Sequence, residues 1–183
     1  MSQPTTRQVE EVAVVFRALF SENFGFVWNV LRRLGVAEAD REDLANEVFF
    51  RVYKAIATYD SARPARPWLC AFAARVASEH RRLARHRAEI LGEEPDAAAP
   101  SSAPENALDR ARQRELLAEA LDTLDADRRS VFVLHDLEEL TTAEVAQALG
   151  IPDGTVSSRL RSARADVAAA ARRLGAARKV PHP

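Results

Sequence analysis

Residues that carry out chemistry are scarce in this chain. It has one cysteine, Cys70, so no internal disulfide can form, and a reducing, cytoplasmic setting is expected. Cys70 reads as a small apolar filler. The four histidines, His80, His86, His135 and His182, show no metal-ligand spacing, and there is no glycine-rich phosphate loop or nucleophile motif. No catalytic residue, metal or cofactor is expected, which argues against an enzyme. No apolar run reaches the 18 residues that a membrane span needs. The N-terminus MSQPTTRQVEEV lacks the basic and apolar regions of a secretory signal. Neither an alternating strand pattern nor an internal repeat is evident.

What is present is helical periodicity and segregated charge. The net charge is only −1, which by itself argues against nucleic-acid binding. The distribution says otherwise. Residues 75–87 carry five arginines against one glutamate, and residues 154–173 five arginines against one aspartate. Residues 92–109 carry five acids and no base, and residues 36–48 five acids and one arginine.

Pro95, Pro100 and Pro104, spaced by Ala, Ser and Glu, mark an extended acidic linker. The expected organisation is therefore a helical domain over 1–90, a linker over 91–107, a second helical domain over 108–175, and a tail over 176–183. Each domain is near the smallest size that a lone core supports. In the first, Phe16, Leu19, Phe20, Phe24, Val27, Val30, Leu31 and Leu34 recur at three and four residues, and Gly35 suits the helix C-cap. A second helix, about 41–58, steps Leu44, Val48, Val52 and Ile56 by four. After a loop, Pro67 fits the first turn of a third helix that buries Trp68, Leu69, Phe72 and Val76. In the second domain Leu116, Leu117, Leu121 and Leu124, then Val131, Phe132, Leu134 and Leu137, give two helical regions. Thr141-Thr142-Ala143-Glu144 is a capping box opening a short helix.

That short helix, the Gly150 turn and a longer helix make a helix-turn-helix pattern. In the last helix Val156, Leu160, Ala163 and Val167 form a narrow apolar stripe. Thr155, Ser158, Arg161 and Ser162 point away from it, and Arg159 and Arg164 flank it on opposite sides. A thin seam beneath a wide donor-rich face suits the major groove of duplex DNA. Outward residues would reach base edges, with Thr155, Ser158 and Arg161 the foremost of them. Arg159 and Arg164 would reach phosphates. The competing reading is a solvated amphipathic helix. Such a face usually mixes in acids, and only Asp166 falls in this stretch.

A second clue lies in the helix at 41–58. Asp40, Asp43 and Glu47 share one face. Like charges so spaced cost an isolated helix roughly 0.2–0.5 kcal/mol per pair, partly relieved by the helix dipole and by Arg51, which is placed to pair with Glu47. The face is either dipole complementation or a docking surface for a basic partner. Tyr59, Arg63, Arg66 and a basic helix ending RRLARHR follow. Aromatics beside a basic groove hold single-stranded nucleic acid, although Trp68 and Tyr59 are also plausible core residues.

In this order the pieces resemble a sigma-70 family transcription initiation factor of the extracytoplasmic-function (ECF) group. EDLANEVFFRVYKAIATYD is similar to the family's polymerase-docking helix, D-L-x-Q-E-x-F, here Asp43-Leu44-Ala45-Asn46-Glu47-Val48-Phe49. WLCAFAARVASEHRR resembles the helix after the promoter-melting loop, and residues 120–167 resemble the second domain almost end to end. The resemblance implies an all-α fold of two small helical domains, a region 2-like bundle and a region 4-like helix-turn-helix, joined by a flexible linker. It implies docking to a coiled coil of core RNA polymerase through Asp43, Asn46, Glu47 and Phe50. It implies capture of the unpaired −10 strand by Tyr59, Arg63, Arg66, Trp68, Arg75 and Arg82, where holding a flipped base both selects sequence and opens the duplex. It implies reading of the −35 duplex by Thr155, Ser157, Ser158, Arg159, Arg161 and Arg164, and regulation by an anti-sigma factor. Two positions depart from the family's habit: Arg75 stands where Asn is common, and Ser157 where Lys or Arg is common. The alternative is a stand-alone helix-turn-helix regulator, which would bind duplex without polymerase.

Overall fold

A computed structural model of the chain describes residues 6–91 and 108–177. The expected linker lies outside these residues except for Leu91, and the expected tail except for Ala176 and Ala177, which end the last helix. Among the described residues there are seven α-helices and no strand. No described helix is long and apolar enough to cross a membrane.

The first half consists of α1 (Thr6–Arg33), α2 (Glu38–Lys54) and α3 (Ala65–Leu91), each packed on the other two. Val27, Val30, Leu31, Val48, Phe49, Val52 and Leu69 are fully buried, each worth about 1.5–3 kcal/mol of removed apolar surface. Ala45, Ala73, Ala74 and Ala77 are buried too. Their small side chains let the helices approach closely. Cys70 is sealed in this core, and burial drives its thiol far above the ordinary range.

α1 stops where expected. Gly35 takes φ +87°, its N–H bonds to the Arg32 carbonyl at 3.0 Å, and the Val36 N–H bonds to the Leu31 carbonyl at 3.1 Å. That is a Schellman ending, which places its C′ residue in the left-handed region. The second helix departs from its expected bounds of about 41–58. It begins three residues earlier, where Glu38 and Asp40 complement the dipole of the first turn. It ends at Lys54 and gives way to a 3-10 turn, Ile56–Thr58.

The second half consists of α4 (Leu108–Asp122), α5 (Ala126–Phe132), α6 (Thr142–Leu149) and α7 (Asp153–Ala177). Asp125 caps α5 by accepting from the Asp127 and Arg128 amides. The region around Val131, Phe132, Leu134 and Leu137 is not one regular helix: α5 widens into a π-helical turn, Val133–Leu137. Glu139 follows at φ 59°, the one non-glycine with positive φ among the described residues. The capping box forms as expected: Thr141 Oγ1 accepts from the Glu144 amide, and Glu144 Oε2 accepts from the Thr141 amide at 2.8 Å. Gly150 turns the chain at φ 67°. α7 lies along α4, α5 and α6.

The halves are not isolated beads. α3 packs on α6, and one apolar cluster runs through both. Polar contacts join them as well. Arg129 Nε donates to the Arg33 carbonyl at 2.6 Å, and Arg81 donates to the Leu34 carbonyl at 3.0 Å and to Ser130 Oγ at 3.1 Å. These guanidinium groups satisfy carbonyls that the end of α1 would otherwise leave unpaired. Arg33 in turn pairs with Glu138, whose side chain is only 5% exposed.

Candidate nucleic-acid interface

The loop after α2 is shaped by Asp60, whose carboxylate accepts from the Ala62 amide at 3.0 Å. It brings Tyr59 against Trp68 near the start of α3, with ring centroids 5.0 Å apart, and Trp68 meets Phe72 edge-on, also at 5.0 Å. Trp68 and Tyr59 are both half-buried, so neither is a core residue outright. Together with Arg63, Pro67 and Arg75 they line a cleft of about 790 Å³. Aromatic rings beside guanidinium groups suit an unpaired base and its phosphate.

Four of the six residues expected at a single strand thus converge: Tyr59, Arg63, Trp68 and Arg75. Arg66 and Arg82 do not. Arg66 lies over the Phe26 ring of α1, 5.0 Å from its centroid. Arg82 is exposed farther along α3, lining a separate shallow groove with Leu83, Arg85 and His86. The far wall of the aromatic cleft comes from the other half, as Glu144, Gln147 and Ala148 of α6. Arg75 reaches across and donates to the carbonyls of Ala148 at 3.2 Å and Gln147 at 3.3 Å.

On α7, Val156, Leu160 and Ala163 are buried and Val167 half-buried, as the stripe predicts. Ser157, Ser158 and Arg161 are exposed; Thr155 and Ser162 are half-buried at the edges of that face. The flanking arginines are occupied. Arg159 Nη2 lies 2.7 Å from Asp127 Oδ2 of α5. Arg164 forks onto Asp136 of the π-turn, with Nε and Nη2 at 2.8 and 2.7 Å. The paired Arg164 guanidinium, with His135 as a further donor, holds the Asp136 carboxyl below the usual carboxylate range. Neither acid stands out in the sequence, since each lies 28 or more residues from its partner.

The acidic face of α2 is as expected in part. Asp43, Asn46 and Phe50 are exposed in consecutive turns. Glu47 is half-buried and accepts from Arg51 Nε at 2.7 Å, while Arg51 also bridges to Glu79 at 2.7 Å. Asp40 is 3.3 Å from His80. Phe50 is 52% exposed, with Lys54 Nζ 4.0 Å from its ring centroid. The apolar part of this surface is larger than the sequence suggested. Phe16 and Phe20, part of the apolar periodicity there, are half-buried and exposed respectively, and Phe16 meets the exposed Tyr53 edge-on at 5.1 Å. Phe20, Phe50 and Tyr53 are the exposed large apolar residues of this surface.

Residues 19–87 match the sigma-70 region 2 model, and residues 114–167 match the model of sigma-70 region 4. The ECF RNA polymerase sigma factor SigL of Mycobacterium tuberculosis is 34% identical over 152 residues, covering 82% of this chain and 85% of that protein. The ferric citrate uptake sigma factor FecI of Escherichia coli is 31% identical over 153 residues, covering 82% and 87%. The chain belongs to the sigma-70 family, in its ECF group. The fold agrees: the sigma factor RpoE of Bartonella quintana, solved with the anti-sigma factor NepR, superposes with a TM-score of 0.67 at 19% identity over 85% of this chain and 95% of that one. CnrH, solved with the cytosolic domain of CnrY, superposes with a TM-score of 0.55 at 24% identity, covering 84% and 85%. As a sigma factor the protein directs transcription initiation at promoters and is not a stand-alone regulator. Among its described residues no group of three or more His, Cys, Asp or Glu is placed to hold a metal.

Proposed function

We propose that the three surfaces divide the work of initiation. The exposed Asp43, Asn46 and Phe50, with Glu47 and the aromatic patch around Tyr53, dock on the coiled coil of core RNA polymerase. Tyr59, Trp68, Arg63 and Arg75 hold an unpaired base of the −10 strand. Thr155, Ser157, Ser158 and Arg161 meet base edges of the −35 duplex. The polymerase makes and breaks every covalent bond, so this chain needs no catalytic residue, and its place is the cytoplasm, with polymerase and DNA. An anti-sigma protein covering these surfaces would silence it.

The observation that carries this reading is the aromatic cleft beside a helix-turn-helix in one chain: a duplex reader alone has no use for Tyr59 and Trp68 packed together beside two arginines. The cleft also sets a condition. Arg75 donates to carbonyls of α6, so a strand phosphate competes with those carbonyls for its guanidinium.

The test is run-off transcription on genomic fragments with and without added core polymerase. Sequence-dependent starts are expected only with both proteins. Asp43→Arg combined with Glu47→Arg should weaken core binding at least tenfold while leaving α4–α7 folded. Unchanged affinity for core enzyme would remove α2 from the docking role.

A further inference from the structure

The two flanking arginines of α7 are gripped from opposite sides by one short stretch of chain. Asp127 in the first turn of α5 takes Arg159, and Asp136 in the π-turn that continues α5 takes Arg164. Arg128, next to Asp127, reinforces the first side by pairing with Asp166 of α7 at 2.7 Å. Asp136 is itself steadied by His135 Nδ1 at 2.8 Å, and its side chain is only 20% exposed. α5 and its π-turn thus form a cradle with a carboxylate at each lip. Pairs on both flanks add to the buried stripe of Val156, Leu160 and Ala163 in setting the roll of α7, and roll decides which side chains face a groove. Between the lips Arg161 has no carboxylate partner among the described residues and stands exposed beside Ser158.

We propose that Asp127 and Asp136 are specificity-determining positioning residues for duplex recognition. They keep Arg159 and Arg164 off the phosphates and help set the roll of α7, so that Ser158 and Arg161 meet the bases in one register. The inference rests on α7 being the duplex reader. It replaces the phosphate role that the sequence suggested for the two flanking arginines. Phosphate contacts bind any sequence, whereas base contacts discriminate. Masking two cations therefore lowers affinity for all DNA and leaves a larger share of binding to the bases. Asp127 also lines the same groove as Ser158 and Arg161, close enough to repel phosphates on its own account.

The experiment uses the full chain, with Asp127→Asn, Asp136→Asn, the double change, and Asp127→Glu and Asp136→Glu as conservative controls. Circular dichroism checks each fold. Binding of the full chain to a mixed-sequence duplex is followed by fluorescence anisotropy across a salt series. Holoenzyme made with core polymerase then selects from a duplex library randomised across the −35 segment. Each Asn variant should bind the mixed-sequence duplex several-fold more tightly, with a salt slope steeper by about 0.9 per freed arginine. It should enrich a weaker motif than wild type, and the Glu variants should restore wild-type slope and motif. Folded Asn variants with wild-type slope and an unchanged motif would overturn the proposal. A wild-type holoenzyme that enriches no −35 motif overturns the duplex reading beneath it, and the proposal with it.

Discussion

Within each half the packing surfaces are Val, Leu, Phe and Ala, whereas the seam between α1–α3 and α5–α6 is drawn together by Arg33, Arg75, Arg81 and Arg129. All but two of the 26 basic side chains are arginine, Lys54 and Lys179 being the exceptions. The planar fork of arginine donates in several directions at once, and here it is spent largely on backbone carbonyls. Apolar burial is non-directional and has no single partner to exchange. A guanidinium on a carbonyl can exchange that carbonyl for water, a carboxylate or a phosphate. The interiors are therefore permanent, and the seam is suited to opening. Burial keeps some of it from being cheap: Arg81 is desolvated enough to pull its guanidinium below the ordinary value.

The sharpest way to test the contrast is to damage one interior. Phe49 is 1% exposed in the middle of α2. Phe49→Ala should cost about 3–5 kcal/mol, the usual range for emptying an aromatic site in a core. Denaturant unfolding monitored at Trp28 and Trp68, both in the first half, should show a midpoint lowered accordingly. A loss below 1 kcal/mol would mean that this interior is not close-packed.

The seam should give less. Glu138 is nearly buried, but its partner Arg33 is 35% exposed on its side chain. Removing one member of a fully buried pair costs about 3–5 kcal/mol. An Arg33 that can turn to water should bring Glu138→Ala down to about 1–3 kcal/mol. The more telling sign is cooperativity. Calorimetry should give one transition for the wild type and resolve two with this pair gone. A single undivided transition would show that the apolar contact of α3 with α6 suffices to couple the halves.

This division also explains what the sequence could disclose. The capping box at Thr141 and Glu144, the Gly35 and Gly150 turns and the buried stripe of α7 depend on residues within a few positions of each other, so periodicity and spacing reveal them. The exposed Asp43–Asn46–Phe50 face follows from one helix. The widening of α5 into a π-turn was hidden, because Val131 to Leu137 satisfy an α-helical pattern equally well. Arg33 with Glu138, Arg81 with Ser130 and Arg75 with Ala148 span 105, 49 and 73 residues. Nothing local marks such partners, since an arginine reads as a solvated charge until the packing supplies a carbonyl or carboxylate. For the same reason Arg66 read as a strand contact, while the fold lays it over Phe26.

Arg75 sharpens the comparison furthest because it belongs to both the seam and the strand cleft. It is exposed, and its two bonds run to neutral carbonyls at 3.2 and 3.3 Å, longer than the usual N–H···O distance. Arg75→Ala should therefore cost no more than about 1 kcal/mol of stability, the smallest of these effects. Its functional effect should run in two directions. The contact of α6 with α3 loosens, so amide hydrogen exchange in Val145–Leu149 should rise. Affinity of the holoenzyme for a fluorescent single-stranded −10 segment should fall, because a phosphate partner is lost. Arg75→Lys separates the two roles: a lysine keeps the charge for a phosphate, but its compact ammonium lacks the planar fork that spans the two carbonyls. Strand affinity close to wild type with raised exchange in α6 is the expected pattern. If Lys leaves exchange at the wild-type level, the fork onto α6 does not hold the halves together, and opening the cleft requires breaking only the apolar contact of α3 with α6.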